Sequence, residues 1–321
     1  FILCTDDSHS GTLVREGHMD RVVRHAIEQG LAPVTAIQMA TLNTAEHFNL
    51  ERELGSITPG RRADFLLVSD LATLNIDAVF GRGVKLAEHN VLLADIPAYE
   101  YPQMAKNTVN LLKPVTAQRF QIDAPKGVDS VTARVIGVVE NQAPTKALEA
   151  KLSVHDGIVQ MDRANDICQI AVVERHRATG GVTNAFVSRF GYTQDCAMAS
   201  TVAHDSHHMI VVGTSREDMA LAANRLGEVG GGVVLFADGV EQAMVELPIA
   251  GLMSDDHAES VAARAEALGA AMEAVGCRLN NAYMQHSLLA LVVIPELRIS
   301  DKGLVDVTRF EVTDLIEKVL Q

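Results

Sequence analysis

Tryptophan is absent from this sequence, other aromatic residues are few, and the cysteines are not paired. Aromatic residues make up 4% of the 321 residues. The cysteines Cys4, Cys168, Cys196 and Cys277 are far apart and form no CxxC motif. This spacing argues against a disulfide framework and favours unpaired thiols in a reducing compartment.

Basic residues and long apolar stretches are also scarce. The chain has 27 Lys and Arg residues against 41 Asp and Glu, which gives a formal net charge of −14. Without a Lys or Arg cluster, such a chain is not expected to bind nucleic acid or an anionic membrane. No apolar run reaches the ~18 residues of a membrane span, and no signal peptide is recognisable. We therefore expect a cytoplasmic protein.

Apolar residues are abundant, and the chain opens on a short run of them. At 48% hydrophobic, its 321 residues can build two or three domains. The opening FILC ends abruptly in TDD, a pattern typical of the carboxyl end of a buried parallel strand. The chain begins with Phe1 and not with Met, and a buried strand needs neighbours. We therefore expect that an N-terminal portion is missing from the sequence.

Helices and then strands are predicted for the first hundred residues. An apolar stripe between Gly17 and Gly30 predicts an amphipathic helix with Gly30 at its C-terminal end. Pro33 opens a second helix, and Asn43 is expected to cap a third one. After a Pro-Gly turn, short apolar runs predict strands at Phe65–Val68, Ile76–Phe80 and Val84–Ala87.

A second region begins near Gln118 and alternates strands with helices. Ser215 is expected to cap a helix with Glu217 and Asp218 in its first turn, and residues 259–275 predict another long helix. The region is therefore an α+β or mixed α/β domain. Its predicted strands are Thr132–Val139, Ile158–Met161, Ile167–Val173, Met209–Val212 and Val233–Phe236.

Asp6 and Asp7 stand where the predicted first strand ends. In α/β barrels, catalytic groups occupy the C-terminal ends of the strands. A carboxylate there can ligate a divalent metal and accept a proton from metal-bound water. The other interpretation is an Asx turn or a helix cap, which is common for Asp after a strand. The local pattern does not decide between the two.

Four segments carry a resemblance to a known family. GSITPGRRAD, at residues 55–64, resembles the segment with which amidohydrolases return from their barrel to a small β-sandwich. VAHDSHHMIVVG (202–213), the GGG run and LPIAGLMSD (247–255) resemble the extra C-terminal domain of the adenine deaminase family. That family usually has Asn where this chain has His208.

The resemblance implies a chain with both α/β and α+β parts. Residues 1–50 would be the last strand and helices of a TIM-type amidohydrolase barrel, and residues 51–97 a β-sandwich segment. Residues 98–117 would be a connector. Residues 118–321 would form the C-terminal mixed α/β domain.

The activity that the resemblance implies is hydrolytic deamination of adenine to hypoxanthine and ammonia, in purine salvage and adenine catabolism. The family uses a divalent metal, expected here to be manganese or iron and binuclear in the full enzyme. Metal-bound hydroxide attacks C6, and a carboxylate carries the proton to the leaving amine. By this resemblance, Asp6 would be the metal ligand and the proton acceptor. Asp7 would contact the substrate or orient Asp6. The reverse assignment of the two residues stays open. A homodimer or larger homo-oligomer is expected.

Several histidines have open roles. His204, Asp205, His207 and His208 suit metal binding by type. The favoured interpretation is a loop whose His and Asp side chains hydrogen-bond to fix the backbone; contact with the active site comes second and an independent metal site last. His9 is expected to border the substrate pocket, and His18 to cap a helix or lie on the surface.

The other metal ligands of the family have no counterpart in this sequence. We therefore expect the chain alone to retain metal weakly and to turn over no adenine. Two further functions stay open. One is a non-catalytic C-terminal module for oligomerisation or regulation, and the other is an amidohydrolase acting on another cyclic amidine or amide.

Overall fold

The computed structural model describes residues 1–6 and 8–320, and the chain forms two compact units. The first is Phe1–Glu100 and the second is Tyr101–Gln321. Both mix helices with antiparallel sheet, so the expected mixture of α and β structure is confirmed. No helix in residues 1–6 and 8–320 has the length and apolar composition that crossing a membrane requires. The finer domain boundaries proposed from the sequence stay predictions.

The first unit begins with short helices. Pro33 is at the first turn of its helix, and Gly30 has φ +99° after the preceding one, as their residue types favour. Asn43 is not a cap: Thr41 precedes the fourth helix, and the Asn43 amide donates to the carbonyl of Phe1 at 3.0 Å. The helices are α1 (Ser10–Arg15), α2 (Met19–Glu28), α3 (Pro33–Ala40) and α4 (Leu42–His47).

The opening FILC segment is not a strand, so that prediction is wrong. Residues 1–6 have no regular secondary structure, and the Phe1 side chain is fully exposed. The amide of Leu3 donates to the carbonyl of Met39 at 3.2 Å, but among the described residues no strand lies alongside to continue the pairing. An apolar run forms a strand only where a neighbouring strand accepts its hydrogen bonds. The expected last barrel strand is therefore not formed in residues 1–6.

A four-stranded antiparallel sheet follows the helices. Arg82 and Gly83 both have positive φ and form the two-residue turn between the second and third strands. Asp64 and Ala63 hold this turn, since Asp64 accepts from the Arg82 amide at 2.7 Å and Ala63 from the Gly83 amide at 2.8 Å. The strands are β1 (Phe65–Asp70), β2 (Asn75–Gly81), β3 (Val84–Glu88) and β4 (Val91–Leu92), paired in that order. The three strands predicted here are confirmed.

The second unit is built on a ten-stranded sheet. Its order is β13-β12-β10-β11-β8-β9-β5-β6-β7, with β17 paired to the other part of β5. Every pairing is antiparallel except β5 with β9. The strands are β5 (Ser130–Gly137), β6 (Lys146–His155), β7 (Ile158–Val159), β8 (Ile167–Val173), β9 (Val182–Ser188), β10 (Cys196–Ser200), β11 (Met209–Gly213), β12 (Gly232–Ala237), β13 (Val240–Glu246) and β17 (Ile316–Leu320).

Helices cover both faces of this sheet. Helix α5 (Arg216–Val229) packs its apolar side on the face that includes Val211 and Val234, and α6 (Ala258–Ala274) covers the opposite face, which includes Leu235. Because successive strand residues point to opposite faces, a strand covered on both sides is apolar throughout. This explains the continuous MIVVG of β11.

The glycine run after α5 is required by close backbone contacts. Gly230 ends the helix at φ +83°, and Gly232 has φ +147°. A Cβ on Gly232 would lie 2.3 Å from the carbonyl oxygen of Val245 on the paired strand. The remaining elements are α7 (Ala282–Leu288) and a small antiparallel sheet of β14 (Leu297–Ser300), β15 (Gly303–Asp306) and β16 (Glu311–Thr313).

Candidate functional site

The residues predicted at the start of the chain are only partly described. Asp7 lies outside the described residues. Asp6 follows the irregular segment 1–5 and has φ +51°. His9 caps helix α1, because its Nδ1 atom accepts from the Gly11 amide at 3.3 Å. His18 precedes α2, and its amide donates to Asp20 at 2.8 Å. The catalytic and substrate-binding roles of Asp6, Asp7 and His9 stay predictions.

A metal-binding set is not found in the part of the chain that the structure describes. Residues 1–6 and 8–320 contain no group of three or more His, Cys, Asp or Glu side chains that could hold a metal ion. Asp6 can contribute one carboxylate, whereas a catalytic zinc, for example, is held by three protein ligands. These residues alone do not fit the divalent metal that the resemblance implies.

The histidine-rich segment is a loop between β10 and β11, here called the histidine loop (residues 201–208). Two backbone hydrogen bonds fix the middle and the end of this loop. The amide of His204 donates to Ser287 at 3.2 Å, and that of His207 donates to Ala203 at 2.7 Å. The His204 and His207 rings meet edge to face with centroids 5.6 Å apart, while Asp205 is exposed. One backbone hydrogen bond within the loop and one to Ser287 in helix α7 therefore hold the loop in place.

A buried arginine, Arg175, holds the histidine loop through a hydrogen bond to its backbone. Arg175 is 1% exposed, and its Nε atom donates to the carbonyl of His207 at 2.6 Å. Its two other nitrogens donate to the Thr108 carbonyl at 3.3 Å, the Thr108 hydroxyl at 3.2 Å and the Ala250 carbonyl at 3.2 Å. Burial lowers the pKa of Arg175 to about 10, so it stays charged at neutral pH. One guanidinium thus joins three separate segments.

His176, which lies outside the histidine loop, packs against His208, which lies inside it. The rings of His176 and His208 have centroids 4.7 Å apart, and the His176 Nε2 atom is 2.8 Å from the carbonyl of Ser206. Nε2 of His208 lies 4.0 Å from Asp301. Burial is the main cause that lowers the pKa of His207 and of His208, so both favour the neutral form. Their Nδ1 atoms are buried without a hydrogen-bond partner in the described structure.

Glu174 holds the hairpin that carries Arg175 and His176. Its carboxylate accepts from the amides of His176 at 2.5 Å, Arg177 at 2.7 Å and Thr179 at 2.8 Å, and from the Thr179 hydroxyl at 3.0 Å. Burial opposes ionisation, but these hydrogen bonds outweigh it and lower the pKa of Glu174 to about 2. The carboxylate is therefore ionised and serves the fold of this hairpin.

The structure brings some of the predicted residues together. His204, His207 and His208 lie in one loop, and they are joined by Arg175 and His176, which the sequence analysis missed. The signal that could have found them is ERHR, a charged run directly after the fully buried strand β8. The contacts are those of a hydrogen-bonded loop. Roles for His204, Asp205 and His207 in substrate binding stay predictions.

Two family models match this chain. The model described as the adenine deaminase C-terminal domain matches residues 142–311, which is more than half of the chain. The model described as the amidohydrolase family matches residues 1–95. The two matches lie in the second and the first structural unit, respectively.

Several curated proteins that are similar to this chain are named adenine deaminase. An adenine deaminase of Mesorhizobium japonicum is 72% identical over 315 residues, covering 98% of this chain and 52% of the relative. Adenine deaminase 3 of Rhizobium meliloti is 71% identical over 316 residues, 98% of this chain and 53% of the relative. An adenine deaminase of Moorella thermoacetica is 46% identical over 315 residues, again 98% and 53%. The chain spans about half the length of the curated relatives it matches.

Proposed function

Because the chain belongs to the adenine deaminase family, we propose that it is part of an enzyme that hydrolyses adenine to hypoxanthine and ammonia. The observation that carries this proposal is the match of the family's C-terminal domain to residues 142–311. Relatives at up to 72% identity that bear the name adenine deaminase support it. The same resemblance supports a role in purine salvage and adenine catabolism, a cytoplasmic location and a homodimer or larger homo-oligomer.

In the complete enzyme, residues 1–50 would complete a hydrolase barrel, and residues 51–97 would contribute a β-sandwich segment. The amidohydrolase match over residues 1–95 supports this arrangement. Residues 98–117 would be the connector and residues 118–321 the C-terminal domain. The four-stranded sheet β1–β4 is the element that the sandwich would use.

Asp6 is the residue that we assign to proton transfer. Its carboxylate would take a proton from the attacking water and deliver it to the amine that leaves C6. Asp7 would contact the base or orient Asp6, and the exchange of these two roles is tested below. Amidohydrolases generally use a divalent metal, here proposed to be manganese or iron, and such an ion activates water. The described residues do not form its ligand set, so no step is assigned to it.

The histidine loop is proposed to support substrate binding. His204, Asp205 and His207 would contact the substrate or the groups around it, as would His9. The hydrogen bond from Arg175 to the His207 carbonyl and the backbone hydrogen bonds of the loop would hold the loop backbone in position.

The test compares carboxamide variants in the complete enzyme. Asp6→Asn is expected to lower kcat for adenine by about 100-fold or more, because it removes the general base. Asp95→Asn is the matched control, since Asp95 is exposed in the same unit and no hydrogen bond or ion pair of its side chain is seen in the described structure. Turnover is followed by ultraviolet absorbance and metal content by atomic emission. Full activity in Asp6→Asn, with loss in Asp7→Asn, would reverse their roles.

The alternative functions predict other results. Turnover of another cyclic amidine or amide, with none of adenine, would favour an amidohydrolase of different specificity. Absence of any turnover in the complete protein would favour a non-catalytic module.

The 321-residue chain alone is expected to turn over no adenine and to retain little metal after gel filtration. A single candidate carboxylate, Asp6, is the physical reason. Robust adenine turnover by this chain alone would contradict the assignment of an incomplete ligand set.

A further inference from the structure

A groove of about 390 Å³ opens in the second unit, away from the histidine loop. One wall is the segment that follows strand β9, and the other follows helix α6. The histidine loop packs against the hairpin 174–181, which lies at the opposite end of β9. A strand of seven residues separates the two ends by roughly 20 Å. The groove is therefore a separate feature of this unit.

The groove is held open by a fixed backbone. Gly191 and Gly276 have φ +76° and +103°, and a Cβ on Gly276 would lie 2.6 Å from the carbonyl oxygen of Gly191. The two walls therefore touch at a point where a side chain would separate them. Thr193 joins them again, since its amide and hydroxyl donate to the Val275 carbonyl at 2.9 Å and 3.2 Å. A ligand would meet a preformed site.

Two guanidinium groups line this groove, one on each wall. Arg189 and Arg278 are exposed, and in the part of the chain that the structure describes neither side chain has a hydrogen bond or an ion pair. The carboxylate of Glu140, also in the lining, accepts from the Asn280 amide at 3.0 Å. In a chain of net charge −14, two unpaired arginines facing one groove are a local positive site.

We propose that this groove binds a phosphate monoester of nucleotide size. Arginine forms two parallel hydrogen bonds to phosphate oxygens and remains charged at every physiological pH. The volume of the groove lies in the range of small-molecule sites, about 300–1,000 Å³. Leu279, which is half-buried in the groove lining, provides an apolar surface for the organic part of the ligand. The proposal does not depend on adenine deamination.

The test is isothermal titration of the intact chain with three probes: adenosine 5′-monophosphate, adenosine and inorganic phosphate. The monophosphate is expected to bind, and its affinity to fall as salt is raised. Adenosine should not bind at the same concentrations, and inorganic phosphate should bind at least about tenfold more weakly, because it lacks the apolar contact.

Substitution of the two arginines tests the site directly. Arg189→Gln and Arg278→Gln are each expected to weaken monophosphate binding about tenfold, and the double variant to abolish it. Arg189→Lys keeps the charge but loses the planar fork, so its loss should be smaller. Arg177→Gln is the matched control: an exposed arginine on the hairpin at the other end of β9, with the same change in net charge. It should bind within about twofold of the unchanged chain.

The outcomes separate clearly. Binding that is unchanged in the double variant, or equal for adenosine and its monophosphate, would overturn the proposal. Absence of monophosphate binding would do the same, and equal affinity for inorganic phosphate would overturn the assignment to an organic phosphate. Because both arginines are exposed, the variants should keep the thermal midpoint of the unchanged chain, and that measurement shows that they are folded.

Discussion

At the scale of single residues, Arg175 is a buried cation whose hydrogen bonds go to uncharged oxygens. It is 1% exposed and bonds the carbonyls of His207, Thr108 and Ala250. We expect Arg175→Met to lower the free energy of unfolding by about 3 kcal/mol, because buried carbonyls would lose their donor. Urea denaturation measures this change. The control Arg177→Met, at an exposed neighbouring position, should lower the free energy of unfolding by less than about 0.5 kcal/mol.

Gly251 provides a second test of the same contact. It has φ +70°, and a Cβ there would lie 2.8 Å from the Nη1 atom of Arg175. Gly251→Ala should therefore also be destabilising, and in an Arg175→Met background the part due to this clash should disappear. Equal costs of Gly251→Ala in both backgrounds would contradict the proposed contact.

His286 makes stability depend on pH. It is fully buried, its Nε2 atom is 3.2 Å from the Met198 carbonyl, and burial lowers its pKa to about 4. As the pH falls, the unfolded chain therefore binds a proton first, because its histidine has a pKa of about 6.5. The contribution of His286 to the free energy of unfolding is therefore complete above about pH 6.5 and is lost as the pH falls toward about 4.

The corresponding variant is His286→Gln, which no longer titrates. Between pH 7 and 5, the unchanged chain should lose up to about 2 kcal/mol more stability than this variant. Urea midpoints at the two pH values measure the difference. His155→Gln is the matched control, because it makes the same substitution at an exposed position. Parallel profiles for the unchanged chain and His286→Gln would contradict the assignment.

The residue types in the sequence identify the histidine loop, but they do not identify Arg175, which binds it. Four polar residues of metal-binding type within five positions, 204–208, are visible in any reading of the chain. Arg175 is 32 positions before His207, and its contact depends on how β8 and β11 are paired. Contacts of this kind need the sheet register, which local sequence does not contain.

At the scale of elements, α5 is the helix whose start is most clearly encoded. Ser215 precedes it, and its hydroxyl accepts from the Asp218 amide at 3.1 Å, as the sequence predicts. Ser215→Ala should lower the free energy of unfolding by about 1 kcal/mol, since one amide at the helix start loses its acceptor. Ser215→Thr keeps the hydroxyl and is the control. Equal loss in both variants, measured by urea denaturation, would show that the cap is not the cause.

Elements with a matching local pattern are predictable, and others are not. Strand β8 has the predicted bounds, Ile167–Val173, because both of its faces are buried and every residue is apolar or neutral. Strand β6 received no prediction: its sequence KALEAKLSVH is rich in helix-forming residues. Pairing with β5 over eight positions, Ser130–Gly137, overrides that propensity.

At the scale of the whole molecule, the order of strands in the large sheet is the part that sequence could not provide. Strand β9 lies between β8, its hairpin partner, and β5, which is earlier in the chain and parallel to it. Strand β17 returns from the end of the chain to pair with β5. The β5–β9 pairing joins Val135 to Phe186, 51 positions away, and the β5–β17 pairing joins Ala133 to Ile316, 183 positions away. No local signal specifies such pairings.

The boundary of the second unit leads to the last prediction. The sequence suggests that residues 98–117 are a connector, whereas the compact unit begins at Tyr101. Residues 101–117 are tied to it: the Asn110 amide donates to Arg175 at 2.7 Å, and Val115 exchanges two hydrogen bonds of 2.8 Å with the Asn224 side chain. These are contacts to buried or half-buried groups, so their loss should be measurable.

A shortened chain that begins at Tyr101 is therefore expected to unfold cooperatively, because its three apolar clusters lie entirely within residues 101–321. A chain that begins at Gln118 should be less stable by about 3–5 kcal/mol, since several hydrogen bonds and the buried Val115 are lost. Asn224→Ala in the longer chain removes one part of this contact and should fall between the two. If all three have the same urea midpoint, residues 101–117 are a passive connector. A graded loss would instead make them part of the folded unit, because only packed residues add to its stability.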